Sequence, residues 1–281
     1  MNSEQDYLKL LDLLFRVVEA NRGPLNGIDE KFLYAEGLAT KFFLHAASIL
    51  YLSRQTNIPD LPSAPLKSTD PGSIDVLSRA AFEAFLTFHY IFIAPKDSEE
   101  QNCRYWAWRA AGLAERQALA VSTPEHKQKL ADEKKELDHL HNKLRSNATF
   151  QQLTYKQQKS VLKGEWKLLS WRKIAESAGL SKALSRDMYK HITGYAHSGS
   201  LSILQIQQSL RKKEQQSLTR ASMDTVAIAT ANLIRGYSHI FPKAKKALAA
   251  DAKGTSMVDL WVQLGQTLDF DVPADNADQN F

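Results

Sequence analysis

The sequence predicts an all-α protein, a helical bundle around one central apolar helix at about 74–94. Apolar residues recur at helical spacing almost throughout the 281 residues. Glycine and proline, at 12 and 9, are too few for a sandwich of many short strands. The segment at about 74–94 is apolar on every side, which is typical of a helix buried inside a bundle. We therefore predict a single domain over 1–266 and an acidic disordered tail over 267–281.

Breaks in the helical periodicity divide the chain into segments. Asn21-Arg22-Gly23-Pro24 ends the first helix, and the four prolines between residues 56 and 72 exclude regular structure after the second. We expect Ser73 to cap the third helix and Pro95 to close it. The helices predicted in this way are, in order, about 4–20, 29–55, 74–94, 98–121 and 124–144, two short ones around Gly164 and Gly179, then 182–196, 201–213, 217–247 and 256–266.

The predicted helix at about 124–144 is densely charged. Pro124 stands at its first position, where a missing N–H costs nothing. Leu130, Leu137 and Leu144 follow one another at heptad spacing, and so narrow an apolar stripe covers little core. We expect this helix to project into solvent or to lie across a partner subunit.

Several classes of site are excluded by composition. Cys103 is the single cysteine, so an internal disulfide and a cysteine-based zinc site are both ruled out. The N-terminus has no basic region before its apolar residues, unlike a secretory signal. The apolar stretch at 76–94 carries Arg79 and Glu83, which make insertion into a membrane expensive. We predict a cytoplasmic protein that binds no membrane and no metal or cofactor.

The net charge of +5 is unevenly distributed. The tail over 267–281 holds four aspartates and no basic residue, whereas 156–173 holds six basic residues and one acidic residue. Such a basic stretch, interleaved with aromatic residues, is compatible with an anionic partner such as RNA. The alternative is a solvated surface followed by an acidic tail.

The first candidate site is the pair Arg79 and Glu83 in the third helix. Four residues apart, the two side chains lie on one face and are expected to pair with each other or with a third polar group. Arg before Glu is the less favourable order for helix stability, so stability alone explains the pair poorly. Two interpretations stay open, namely a buried ion pair that sets the register of the helix and a functional site.

The second candidate is His197, at the start of His197-Ser198-Gly199-Ser200. A helix gives way to a turn there, so the histidine stands at an edge rather than inside a packed stripe. Because histidine titrates near neutral pH, His197 can act as an acid or a base. A capping or packing role is the alternative.

Two resemblances to known families follow from these residues. Arg186, Asp187 and His191 resemble the R-x4-6-H signature of HEPN domains, which are all-α proteins, many of them metal-independent ribonucleases of toxin and antiphage systems. Over roughly 30–240 the chain also resembles a bacterial all-helical family known only as a domain of unknown function, with R-x3-E and Y-x5-Y-x-H-S motifs. The matching residues are Arg79, Glu83, Tyr189, Tyr195, His197 and Ser198.

The resemblances imply a HEPN-like ribonuclease with His197 in the place of the family histidine. Position 192, where the family arginine would stand, is Ile192, so Arg79 would supply the positive charge from another helix. His197 would take the proton from a ribose 2′-OH, Arg79 would stabilise the phosphorane, and Glu83 would orient Arg79. Arg186 and His191 are the fallback catalytic pair.

The same resemblance implies a homodimer that acts on RNA, with an antitoxin or another defence protein as a possible partner. The presence of two charges in an otherwise apolar helix separately predicts that Arg79 and Glu83 are mostly buried, with His197 within about 10 Å of Arg79. A function of another class stays open, namely a non-catalytic helical module that binds a partner protein or small ligand at the Arg79/Glu83 pocket.

Overall fold

A computed structural model of the chain describes residues 3–23, 29–59, 66–186 and 212–268, with a few further positions between 200 and 207. These residues are almost entirely helical, which confirms the all-α prediction. The helices are α1 Ser3–Glu19, α2 Lys31–Ser53, α3 Pro71–Phe88, α4 Ser98–Gln117, α5 Pro124–Ser146, α6 Ala148–Gln151, α7 Tyr155–Leu162, α8 Trp171–Ser177, α9 Lys212–Ile240, α10 Pro242–Ala249 and α11 Ala252–Thr267.

The segment after α2 corrects the expectation of a loop without regular structure. Two strands, β1 Thr56–Ile58 and β2 Leu66–Ser68, pair antiparallel, with Asn57 opposite Lys67. Neither strand contains any of the four prolines of this segment, so no ladder hydrogen bond is lost.

The third helix begins earlier and ends differently than predicted. It starts at Pro71, and Asp70, rather than Ser73, caps it, since the Asp70 carboxylate accepts a hydrogen bond from Ser73 N at 3.1 Å. Proline is well suited to this first helical position. After Phe88 the chain continues as one π-helical turn over His89–Ile93 before Pro95.

Compact packing divides the chain into two units. Unit 1 comprises residues 1–28, 36–86 and 171–281, and unit 2 comprises 29–35 and 87–170. The single-domain prediction for 1–266 stays a prediction, because a compact unit is not the same as an independently folding domain.

In unit 1, α1 packs against α9, α10 and α11. Leu10 and Leu14 of α1 are buried, as are Val226 and Leu233 of α9. The Tyr7 hydroxyl donates a hydrogen bond to the Ala46 carbonyl at 2.9 Å, which ties α1 to α2. Burial raises the pKa of that phenol far above its ordinary value, so it stays a donor.

The helix predicted at 217–247 is in fact two helices. α9 ends at Ile240 and α10 begins at Pro242, because proline has no N–H for the helical hydrogen bond and its ring clashes with the carbonyl four residues earlier. α11 starts at Ala252, some residues before the predicted 256, since the Asp251 carboxylate caps it through Gly254 N at 2.8 Å.

In unit 2, α4 and α5 form an antiparallel hairpin, which corrects the expectation that α5 projects into solvent. Leu137 and Leu144 are buried against the alanines at 107 and 110 of α4, and Phe150 and Val161 extend the same cluster. The narrow leucine stripe is therefore sufficient, because small residues on the facing helix let the two axes approach closely.

One helical stretch of the described chain, Pro71–Ile93, is long and apolar enough to cross a membrane by length and composition. Of its most apolar window, 61% is buried inside the protein. A core helix passes the same test, so the expectation that the chain binds no membrane stays a prediction.

Candidate functional site

Three charged side chains share one face of α3. Asp75, Arg79 and Glu83 follow one another at intervals of four residues, which places them in a line along the helix. Their exposure rises along this line, since Asp75 is 1% exposed and the side chains of Arg79 and Glu83 are 22% and 29% exposed. We call these three residues the α3 stripe. It runs from the interior of unit 1 towards solvent.

The outer half of the α3 stripe is an ion pair. Arg79 Nε donates to Glu83 Oε1 at 2.9 Å, which confirms that the two residues pair with each other. Both side chains are mostly buried, as expected, with 22% of Arg79 and 29% of Glu83 open to solvent. The pair differs from a core ion pair in that a solute can reach it.

The inner end of the α3 stripe was not anticipated from the sequence. The Ser222 hydroxyl of α9 donates a hydrogen bond to the Asp75 carboxylate, and both residues are buried. A buried carboxylate needs such a donor to offset its lost hydration. This contact fixes α3 against α9 at the point where the stripe begins. The spacing of Asp75, four residues before Arg79, would have placed it on the same face of α3, whereas its contact with Ser222 depends on the packing of α9.

Two other titratable groups, Cys103 and Asp224, have pKa values that burial raises. Burial raises the pKa of the Cys103 thiol to about 11, so this cysteine carries no thiolate at neutral pH and is a poor nucleophile. Burial also raises the pKa of Asp224 on α9, although Arg220 at 3.8 Å opposes the shift.

Most of the remaining predicted site residues lie outside the described part of the chain. Arg186 is described; it is exposed and belongs to a helical stretch at 182–186. The other five predicted residues lie outside the described ranges, so their distances from Arg79 stay predictions: Tyr189, His191, Tyr195, His197 and Ser198.

A groove on the α4–α5 hairpin is the other concave feature of note. Its volume is about 430 Å³, and we call it the hairpin groove. Arg109 pairs with Glu136 and Arg116 pairs with Glu133, so two ion pairs join α4 to α5 along it. None of these four residues stands out in the sequence. The charged and aromatic side chains that line the hairpin groove are Trp108, Arg109, Glu115, Arg116, Glu133, Glu136 and Trp166.

Among the residues that the structure describes, no group of three or more histidine, cysteine, aspartate or glutamate side chains is placed to hold a metal ion. Comparison with protein-family models, with curated proteins and with solved structures finds no match for this chain. The α3 stripe offers an oriented guanidinium that solvent reaches, and the hairpin groove offers aromatic walls and carboxylates.

Proposed function

We propose that the chain is a HEPN-like, metal-independent endoribonuclease of a toxin or defence system, with Arg79 as the group that binds the scissile phosphate. The observation that carries the proposal is the Arg79–Glu83 pair on α3. It is held at 2.9 Å and part-exposed on a helix whose other residues are mostly buried.

The exposure of the pair argues for a site rather than for a register device. An ion pair that only sets helix register needs no access to solvent. A phosphate-binding arginine must instead meet its ligand, and a carboxylate on Nε orients the planar guanidinium for that encounter. Arg79 is 22% exposed and Glu83 is 29% exposed, so a phosphate can reach the oriented guanidinium.

In the proposed reaction His197 is the general base. It takes the proton from the ribose 2′-OH, the 2′ oxygen attacks phosphorus, and the bond to the 5′ oxygen of the next nucleotide breaks, with that oxygen taking a proton from solvent. The products are a 2′,3′-cyclic phosphate and a 5′-hydroxyl. Arg79 stabilises the negative charge that develops on the phosphoryl oxygens, and Glu83 holds Arg79 in place. The role of His197 rests on the resemblance to HEPN domains, as does the proposed homodimer.

The fallback assignment uses Arg186 and His191 in the same two roles. Arg186 is exposed at 182–186, so a phosphate can reach it as well. Tyr189, Tyr195 and Ser198 would support the site in either case.

The test compares two arginines of the same helical pattern. Arg172 pairs with Glu176 at 3.0 Å, again with arginine four residues before glutamate, so Arg172→Gln is the matched control for Arg79→Gln. Expression of wild type should arrest growth and degrade RNA, and the purified protein should cleave RNA in the presence of EDTA. Arg79→Gln should lose about 10²–10³-fold in cleavage rate, and Arg172→Gln should lose none.

Other outcomes of this test would change either the role of Arg79 or the proposed function. Cleavage by folded Arg79→Gln at the wild-type rate would exclude Arg79 from the reaction and favour Arg186 with His191. A wild-type protein that leaves growth and RNA unchanged, with its trigger or partner supplied, would contradict the ribonuclease. If it then binds a ligand that Arg79→Gln does not bind, the chain is the non-catalytic module.

A further inference from the structure

One face of α7, in unit 2, presents a tyrosine and three lysines to solvent. Tyr155, Lys156, Lys159 and Lys163 are all exposed, and Tyr155, at 80%, is the most exposed of the large hydrophobic side chains that the structure describes. With 3.6 residues per turn, these four positions fall within about 100° of one another around the helix axis. We call the four residues the α7 basic face.

The opposite side of α7 holds the helix in place. Val161 is buried in the core of unit 2. The side-chain amide of Gln158 donates hydrogen bonds to the carbonyls of Phe150 and Leu153 at 3.2 and 3.0 Å. Thr154 caps the start of the helix in a capping box. The orientation of the α7 basic face is therefore set before any ligand arrives, which lowers the entropic cost of binding.

The three lysines of the α7 basic face make no ion pair among the described residues. Two lysines of α5, at 134 and 135, are in contrast each paired with an aspartate of the same helix. Like charges three and four residues apart repel one another, and α7 contains no acidic residue to offset them. Lys156 also lies in the first turn, where the helix dipole disfavours a cation. Helix stability therefore does not explain these lysines, and a bound anion would remove their repulsion.

The composition of the α7 basic face fits a single strand of nucleic acid. Proteins bind such strands through cations that follow the phosphates and through exposed aromatic rings on which bases stack. Lys156 and Lys163 lie about 10 Å apart along the axis, which is enough for about two nucleotides of an unstacked strand. A membrane fits less well, because an interfacial helix inserts an apolar face. The apolar residues Val161 and Leu162 pack against the core of unit 2 instead.

We propose that the α7 basic face binds a single strand of nucleic acid, with a base stacked on Tyr155 and the phosphates on the three lysines. The proposal deepens the proposed function by naming where unit 2 contacts the substrate. Only the identification of the strand as RNA rests on that function. The contacts themselves involve phosphate and base rather than sugar, so they are independent of Arg79 and of sequence.

The test measures binding of a fluorescent 2′-O-methyl RNA decamer to the full-length protein by anisotropy. This probe has no free 2′-OH, so the proposed reaction cannot cleave it. Three phosphate contacts predict a slope of about −2 for the logarithm of the association constant against that of the salt concentration. Lys159→Gln should weaken binding severalfold and reduce the slope by about 0.7. Lys135→Gln, which changes an exposed lysine paired with Asp132, should alter neither.

A second variant separates stacking from charge. Tyr155→Ala should weaken binding of the probe about tenfold without changing the salt slope, because one stacked base is lost and no phosphate contact is. Tyr51→Ala is the matched control, since Tyr51 is a similarly prominent tyrosine of unit 1, 73% exposed. It should bind like wild type. Both tyrosines are exposed, so neither variant should unfold the protein.

The proposal is overturned if folded Lys159→Gln or Tyr155→Ala binds the probe like wild type, or if a duplex of the same sequence binds as tightly. Binding of phosphatidylserine vesicles in place of the strand would assign the face to a membrane and also overturn it. A DNA decamer should bind about as well as the probe, and failure of DNA to bind would contradict contacts that ignore the sugar.

The α7 basic face and the ribonuclease can fail separately. If wild type cleaves RNA and both variants bind the probe normally, only the α7 basic face is wrong. If wild type binds the probe through this face and cleaves no RNA with its trigger supplied, only the ribonuclease is wrong. Arg79→Gln should bind the probe like wild type in either case.

Discussion

Breaking the Arg79–Glu83 pair should reduce stability little and activity greatly. A double-mutant cycle of wild type, Arg79→Gln, Glu83→Gln and the double variant isolates the interaction between the two side chains. Glutamine keeps most of the side-chain length and its packing while removing the charge. The exposure of the pair sets the size of the coupling that we expect.

The expected coupling is about 1 kcal/mol, between two known limits. A fully exposed pair of this spacing contributes about 0.3–0.5 kcal/mol, whereas removing one partner of a buried pair costs about 3–5 kcal/mol. Arg79 and Glu83 are 22% and 29% exposed, and they share one hydrogen bond of 2.9 Å in the less favourable order. These observations place the pair between the two limits.

The assay is urea unfolding of the four proteins, followed by circular dichroism, with RNA cleavage measured on the same preparations. The Arg172–Glu176 cycle is the control, because that pair is 53% and 30% exposed and should couple by about 0.3–0.5 kcal/mol. A coupling of about 3 kcal/mol or more for Arg79–Glu83 would contradict the expected value of about 1 kcal/mol. The pair would then be a structural device, and any loss of cleavage would follow from unfolding.

Three further predictions concern a proposed catalytic group, a helix contact and a pH dependence. His197→Ala should lower RNA cleavage about 10²–10⁴-fold, and a wild-type rate would exclude it as the base. Gly265→Ala should lower the free energy of unfolding by about 1–3 kcal/mol in urea, because the added Cβ would lie 2.6 Å from the Ile228 Cγ2 methyl. Gly37→Ala is the control: its Cβ would meet nothing within 4 Å, so this helical substitution should stabilise the protein. Burial lowers the pKa of His45 below its ordinary 6.5, so the unfolded chain binds more protons than the folded chain. The free energy of unfolding should therefore fall as the pH drops below 6.5. His45→Gln should flatten this slope in urea midpoints measured between about pH 5 and 7.5.

The sequence predicted where most helices lie because their boundaries are local. Thr123 and Pro124 begin α5 through a cap and a fixed φ, and Asp97 caps α4 in the same way, so these starts are visible in a few residues. Periodicity alone does not reveal the facing surface. The leucine stripe of α5 was interpreted as solvent-facing because the small residues of α4 that receive it lie some thirty positions earlier.

The candidate site was half predictable for the same reason. Arg79 and Glu83 are four residues apart, so their pairing follows from helix geometry. Ser222 lies 147 positions from Asp75, and a serine in an amphipathic helix looks no different from its neighbours until α9 packs on α3. The burial of Glu133 Oε2, which accepts no hydrogen bond among the described residues, is likewise a property of the fold, since it depends on which side chains of α4 lie opposite α5.

The gradient of exposure along the α3 stripe assigns different roles to its members. Asp75 is sealed at the inner end by Ser222, so no ligand touches its carboxylate and its effect on any reaction passes through the position of α3. Arg79 meets solvent, so it is the group that a phosphate contacts first. Loss of Asp75 should therefore act on stability, and loss of Arg79 on binding or catalysis. If the α3 stripe had only a structural role, loss of Arg79 would lower stability together with binding or catalysis, because each charge of the stripe would then be part of the core.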